Sequence, residues 1–485
     1  MDISQRPATQ LAAGHVLSRP RISPNYQASP LRPQVLDTST LAAESWDVDG
    51  RSGFMPPEPP VARLPAEWDA WENILQVAIG ARFTVGDTPD ITPEETDRAL
   101  QWREAVQNMP MLGTHRLKNS ERNLRRAHLV LAWILHFYVH THVPAPTPII
   151  IPAVLTVPLL AISRELILPP VLTYSDTVLY NWRYAEGDPS KLESVTTFTQ
   201  TKDEEHFYLT SAYIELAGVE ALGLMQRCFD EAFVADEIAL RRISSYLRKL
   251  AVVIKRMTKI LDAVRDACEP KIFFNDVRPW LRGEDSGKRR WIFVDENGEE
   301  VDFGDRRELS GPSAGQSSLI HALDIFLGVD HTPPRRPAHP TTTTDQPLSN
   351  ASGSMHANGA SKPTKGFLDR MLAYMPRHHR AFMNHLKVTP RPIRTLVSHH
   401  TTGAGSEPSP ITNAYDAAVL ALKGLRDAHI RIATLYIINQ MPRSDTSLAQ
   451  AAASAATAKG TGGSDLVPFL KGSRDDTTRA LINPH

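Results

Sequence analysis

Cysteine is nearly absent: Cys228 and Cys268 are the only two in 485 residues. That density excludes a disulfide framework, and two thiols in so long a chain fit a reducing, cytoplasmic compartment. An excess of one charge is missing as well. The formal net charge is -1, so nothing in the bulk composition draws the chain to nucleic acid or to an anionic membrane. Long hydrophobic runs are also lacking. The most apolar stretch, Pro148–Leu160, is broken by Pro152 and Pro158 and falls short of the roughly 20 residues that span a bilayer. Residues 1–40 are polar and proline-dotted, without the apolar centre of a secretory signal. No flavin or dinucleotide fingerprint occurs, and no thiolate cluster.

What is present is mostly helical periodicity. The length exceeds one comfortable core and predicts two packed units with tails. Residues 1–60 read as a disordered extension, 61–198 as a small helical domain and 199–485 as a larger one. Within the latter, 332–365 is a low-complexity insert with a threonine run, and 457–465 is a glycine-rich loop. Helical spacing is predicted from Trp68, over Asp97–Met109 and Glu121–His140, and again over Leu159–Leu166 and Tyr174–Trp182. It continues over Phe207–Val234, Asp236–Cys268, Ser317–Gly328, Gly366–Leu386, Asn413–Met441 and Leu466–Leu481. Pro144–Pro158 reads as a connector and Glu186–Glu205 as a loop. Only Trp291–Phe303, alternating around Asn297–Gly298, reads as sheet, a single hairpin. The expected fold class is all-α, with two helical domains and one small β-hairpin.

Asn413–Met441 carries the most informative stripe. Tyr415, Ala418, Leu422, Leu425, Ile432 and Tyr436 recur on one face, and Asn413 with Asp416 resembles a capping start. His429 falls on that stripe where a leucine is expected. An imidazole turned into a core is either hydrogen-bonded to a neighbour or bound to a metal, and spacing leaves both open. His128, His136, His140 and His142 cluster on Glu121–His140 and beyond it. They lack the converging carboxylate or thiolate ligands of a metal site. Lys459–Asp465, KGTGGSD, lacks the preceding strand of a phosphate loop. It reads either as a lid or as a plain linker.

Six long blocks carry a further signal. They are LILPPVLTYSDTVLYNW (166–182), EPKIFFNDVRPWLRG (269–283) and GQSSLIHALDIFLGVDH (315–331), followed by FLDRMLAYMPRHHRAFMNHL (367–386), AYDAAVLALKGLRDAHIRIATLYI (414–437) and KGTGGSDLVPFLKGSRDDTTRALI (459–482). In this order they resemble the indoleamine 2,3-dioxygenase family, in a fungal-like form with an N-terminal extension. Tryptophan 2,3-dioxygenase shares the chemistry, but its blocks are not these.

The resemblance implies a two-domain helical haem protein with His429 as the metal ligand of haem b, ferrous in the active form. It implies Ser211, Arg278 and Phe273 as catalytic residues. Substrate contacts are implied for Tyr174, Thr177, Val178, Phe207, Phe274, Leu281, Ser313, Ala314 and Thr461. Ser313, Ala314, Gly315, Asp324 and Arg426 are implied on the cofactor side, the last two ordering the His429 side. The expected partners are L-tryptophan, O2 and an electron donor, with no nucleic acid and no membrane, in a monomer. An arginine fork suits a planar carboxylate in a way lysine cannot match. Two competing readings are an oxygen-binding haem protein without catalysis and a helical scaffold without haem. The retained arginine fork argues against the former, because an oxygen carrier needs no carboxylate clamp.

Overall fold

The computed structural model describes residues 46–287, 289–302, 309–331, 366–389, 392–400, 409–441 and 459–483. All of them fall in one compact unit, residues 38–485. The insert 332–365 and most of the extension therefore lie outside the described residues. Residues 46–60 do not behave as an extension. Val48, Phe54 and Met55 are buried, and Phe54 meets the Phe382 ring at 5.6 Å. A few large apolar side chains, turned inward by the tight Asp49–Gly53 bridge, outweigh the proline-rich composition.

Thirteen α-helices and four short strands order the described chain. First come α1 (Asp69–Ala81), α2 (Pro93–Gln107), α3 (Glu121–His140), β1 (Ile149–Ile151) and α4 (Ala153–Leu166). A π-helical turn over Ser175–Leu179 leads to the hairpin β2 (Trp182–Ala185) and β3 (Asp188–Ser194). The long helices α5 (Lys202–Val234) and α6 (Glu237–Asp262) follow, then a short α7 (Pro270–Ile272) and β4 (Trp291–Phe293). The remainder comprises α8 (Ser318–Phe326), α9 (Phe367–Met371), α10 (Arg377–Lys387), α11 (Ile393–His399), α12 (Pro410–Tyr436) and α13 (Leu466–Arg479).

Side-chain caps explain six of the thirteen helix starts. Thr92 and Glu95 form a reciprocal capping box on α2, and Ser120, Thr201, Asp236, Ser317 and Ser409 each accept an N–H of the first turn. α12 runs along α6 and against α13, while α5 runs along α6. One core gathers α1 to α4 and the residues before β4; a second gathers α5, α6, α8 and α10 to α12. Between α1 and α3 lies a buried ion pair. Arg126 donates Nε and Nη2 to the two carboxylate oxygens of Glu72 at 2.9 and 2.6 Å, and Glu72 also accepts the Leu64 N–H. No helix among the described residues is long and apolar enough to cross a membrane.

The all-α class stands, but the sheet is richer than expected. β4 pairs in parallel with β1, inside the stretch read as a connector. The expected hairpin around Asn297–Gly298 is present only as a turn closed by the Val294–Glu300 bridge. Prolines mark the ends of β1 and do not forbid it. α4 begins at Ala153 and carries Pro158 inside, since burial of Leu155, Leu159 and Ile162 outweighs one lost hydrogen bond. Tyr174–Trp182 makes a π turn and not a regular helix, and part of the stretch read as a loop forms β3. Gly366–Leu386 divides at Pro376 into α9 and α10. Ser409 and not Asn413 caps α12, while Asp416 accepts the backbone N–H groups of Ile482 and Asn483.

Candidate active site

A cavity of about 160 Å³ opens among α5, the π turn, the segment after α7, α12 and the stretch before α13. α5 contributes Phe207, Tyr208 and Ser211 to its wall, and the π turn contributes Thr177 and Val178 with Tyr174 just before it. The chain after α7 continues as a π turn over Phe273–Val277 and a 3-10 turn over Arg278–Leu281. This irregular path aims Phe273, Arg278 and Leu281 inward together. Phe273 stands against Phe207 at 4.5 Å and Tyr436 at 5.7 Å, an aromatic wall.

His429 faces this cavity from α12. Among the described residues neither of its ring nitrogens has a hydrogen-bond partner. Burial, helped by the Arg426 charge one turn away, lowers its pKa to about 4 and keeps the imidazole neutral. Asp324 and Arg426 do not touch the cavity or the His429 ring. Arg426 grips both Asp324 oxygens at 2.7 Å and also donates to Ser473 and Thr477, tying α8 and α13 to α12. Sequence reading missed His331, which completes that network between Asp324 and Asp476 at 3.1 and 2.8 Å.

Arg278 is half-buried. Its Nη2 donates to the Lys459 carbonyl at 2.6 Å, while its Nε is buried without a hydrogen-bond partner. Burial, then the nearby Arg282, lowers its pKa to about 10, so it remains a cation. Phe274 does not line the cavity; the Arg278 guanidinium lies 5.7 Å from its ring. Ser313, Ala314 and Gly315 form one rim, and Thr461 seals the other by donating to the Pro312 carbonyl at 2.7 Å. Tyr208, Ile432, Ala433, Tyr436, Phe469 and Leu470 also line the space. Periodicity marks such residues only as core, and no sequence signal says which core residues border a void.

The histidines of α3 are all engaged. His128 bonds Asp176 at 2.9 Å, His136 the Trp280 carbonyl at 2.8 Å, His140 the Arg282 carbonyl at 2.9 Å, and nearby His142 the Tyr138 carbonyl at 2.8 Å.

A family profile for indoleamine 2,3-dioxygenase matches residues 42–480. The chain belongs to the indoleamine 2,3-dioxygenase family. It is 31% identical to indoleamine 2,3-dioxygenase acdA of Aspergillus candidus, over 91% of this chain and 98% of that protein. It is 30% identical to indoleamine 2,3-dioxygenase of Saccharomyces cerevisiae, over 92% and 96%. A third relative, 6-hydroxytryptophan 2,3-dioxygenase fscD of Fusarium equiseti, is 27% identical over 92% and 99%.

Members of this family are haem-dependent oxidoreductases that use O2 on tryptophan-like indoles, and this chain is a dioxygenase of that type. The residues present fit the cofactor. A neutral, unpartnered imidazole facing a largely apolar cavity is the form that can ligate iron. Small residues at 313–315 leave room for a flat macrocycle at one rim, where a Cβ on Gly315 would come within 3.0 Å of Phe367.

Proposed function

We propose that the chain cleaves the indole C2–C3 bond of L-tryptophan, adding both atoms of O2 to give N-formyl-L-kynurenine. This is the first step of the kynurenine route of tryptophan catabolism, which leads toward NAD precursors. The observation that carries the reading is Arg278, a cation on the cavity wall whose Nε–H has no partner among the described residues. A guanidinium so placed suits a planar amino-acid carboxylate. An oxygen carrier without catalysis has no use for it.

His429 would hold the haem, with Ser313, Ala314 and Gly315 along its edge. Bound there, ferrous haem supplies the spin and charge sharing that lets triplet dioxygen react with a closed-shell indole. The protein's own part is positioning. Phe207 and Phe273 form one aromatic wall beside the indole region, Arg278 fixes the carboxylate end, and Ser211 places a hydroxyl on the wall. Thr461 and the loop around it exclude water. Thr177 spends its hydroxyl on the Thr173 and Tyr174 carbonyls at 3.3 and 3.4 Å, and Tyr174 spends its own on Glu215. Those commitments favour an unsubstituted indole over a ring-hydroxylated one. The enzyme works in the cytoplasm as a monomer, with an external electron donor keeping the iron ferrous.

Steady-state kinetics on L-tryptophan and tryptamine test the Arg278 assignment. For Arg278→Ala the loss of carboxylate binding is about 2–5 kcal/mol, a rise in KM of roughly thirtyfold or more for tryptophan with haem content unchanged. Arg278→Lys recovers only part of it. Tryptamine, which has no carboxylate, is nearly indifferent. Equal losses on both substrates would remove the carboxylate role from Arg278.

A further inference from the structure

Two buried glutamates sit on α5, and their surroundings differ. Glu204 is fully matched: it accepts the Phe198 and Thr199 N–H groups and the hydroxyls of Thr199 and Tyr208, two on each oxygen. Glu215, 1% exposed, is matched on one oxygen only. Its Oε1 accepts the Tyr174 hydroxyl at 3.0 Å and the Ser317 hydroxyl at 2.7 Å. Its Oε2 is buried with no hydrogen-bond partner among the described residues.

The groups bonded to Glu215 lie at and beside the cavity. Tyr174 lines it beside the π turn, and Ser317 caps α8 directly after the Ser313–Gly315 rim. Ser211 lines it one turn earlier on α5. Ser211 also bears on the Tyr174 hydroxyl, easing its ionisation, as Ser317 does. Glu215 thus holds a hydroxyl whose ring lines the substrate space. We propose that Glu215 is a positioning residue of this dioxygenase site, fixing the Tyr174 hydroxyl at the cavity wall by whether it carries a proton. This rests on the tryptophan reading above.

The physical argument concerns the unmatched oxygen. As a carboxylic acid, Glu215 can place its proton on Oε2 and still offer Oε1 to both hydroxyls. Tyr174 then spends its single proton on Glu215 and leaves only lone pairs for any other neighbour. An ionised Oε2, by contrast, is a buried negative charge without a donor, which costs far more than an unmatched neutral group. The cheapest relief draws one of the neighbouring hydroxyls across to it, and each such move reshapes the cavity wall. Among the described residues no cation opposes the change. There Tyr174, just before the π turn, and Ser317 at the start of α8 act on Glu215 besides burial, which raises its pKa to about 7. His379 of α10, bonded to the next serine, Ser318, is itself held neutral by burial. The stretch packed against this part of α5 from the N-terminal side brings Gly53.

The test uses the haem-loaded enzyme, titrated from about pH 6 to about pH 9, around the ordinary range of such shifted carboxyls. Two readouts are taken: the tryptophan-induced change in the haem spectrum, giving Kd, and the infrared carbonyl band of protonated carboxyl groups. In the wild type, Kd rises about threefold to tenfold across a single ionisation near neutrality, the worth of one displaced hydrogen bond. A protonated-carboxyl band bleaches with it. Glu215→Gln cannot ionise; it holds the low-pH Kd throughout and lacks that band. Tyr174→Phe cuts the link, so it keeps the band and loses the Kd step, which carries the test if the glutamine variant folds poorly. A Kd step that persists in Glu215→Gln or in Tyr174→Phe overturns the proposal. So does a wild type whose Kd is flat over the range while tryptophan turnover is normal. Absence of any tryptophan-induced spectral change overturns the substrate reading together with this one, whereas the band assignment still reports whether Glu215 carries a proton.

Discussion

At the scale of single residues, the site depends on side chains left incomplete by their protein neighbours. Among the described residues the half-buried His429 ring has no hydrogen-bond partner, and neither do the buried Arg278 Nε and Glu215 Oε2. Buried polar groups are nearly always matched, and the first two of these side chains line one cavity. For His429 this gives a direct prediction. His429→Ala removes the protein-to-iron bond while leaving the stripe of α12 otherwise intact, because Tyr415, Leu422, Leu425 and Tyr436 are buried independently of it. The purified variant is expected to lose most of its Soret absorbance and keep its far-ultraviolet helical signal. A normal Soret band in that variant would falsify the ligand assignment.

At the scale of elements, the long helices were legible in the sequence and the irregular ones were not. The 3.6-residue spacing placed α3, α5, α6 and α12 to within a few residues, since each buries one broad face. The π turns at Ser175–Leu179 and Phe273–Val277 have no periodic signature, yet they aim Thr177, Val178 and Phe273 at the cavity. Those residues were found through the wording of long blocks and not through pattern. β1 and β4 pair across more than a hundred residues, a long-range contact that local signals cannot announce. The glycine-rich loop left both a lid and a linker open, and in the structure it is seated at the cavity rim. Arg278, Thr461 and Gly311 all hydrogen-bond across to or from it. Gly463 makes that seating possible: its φ is +74°, and a Cβ there would lie 2.0 Å from Asp285 Oδ2, a carboxylate held by the Ser310 hydroxyl. Gly463→Ala is expected to unseat the loop, lowering kcat/KM about tenfold, or ~1.4 kcal/mol, with little change in melting temperature. Gly472→Ala is the control. It sits inside α13 with open space around it, so it should leave turnover alone and stabilise the helix by about 1 kcal/mol. Equal kinetic losses in the two variants would count against a closing role for the loop.

At the scale of the whole molecule, stability should depend on keeping buried histidines neutral. Burial holds His136 and His142 at about 4, and His140 and His379 well below the ordinary value. His429 is set aside because it is the proposed haem ligand. For a histidine depressed in this way, the unfolded chain takes up a proton below about pH 6.5 while the folded chain does not. Its stabilising effect is therefore complete above that pH and is lost as pH falls. Glu204 and Glu215 work against it, since burial raises both, and the folded state holds their protons in a range where the unfolded chain has released them. With His321, also depressed by burial, the depressed histidines outnumber these two carboxyls, so on balance unfolding takes up protons as pH falls below about 6.5. Each proton so taken up corresponds to about 1.4 kcal/mol of stability lost per pH unit, a sizeable part of the 5–15 kcal/mol typical of folded chains. His128, raised by its bond to Asp176 despite burial, acts on the other flank and loses its contribution as pH rises. Urea unfolding at a series of pH values measures the slope directly. A midpoint that stays constant, or rises, from about pH 6.5 down to about pH 5 would mean that these imidazoles are charged or solvated in the folded protein. The hydrogen bonds of His136 and His140 that hold the Arg278 segment against α3 would then need a different account.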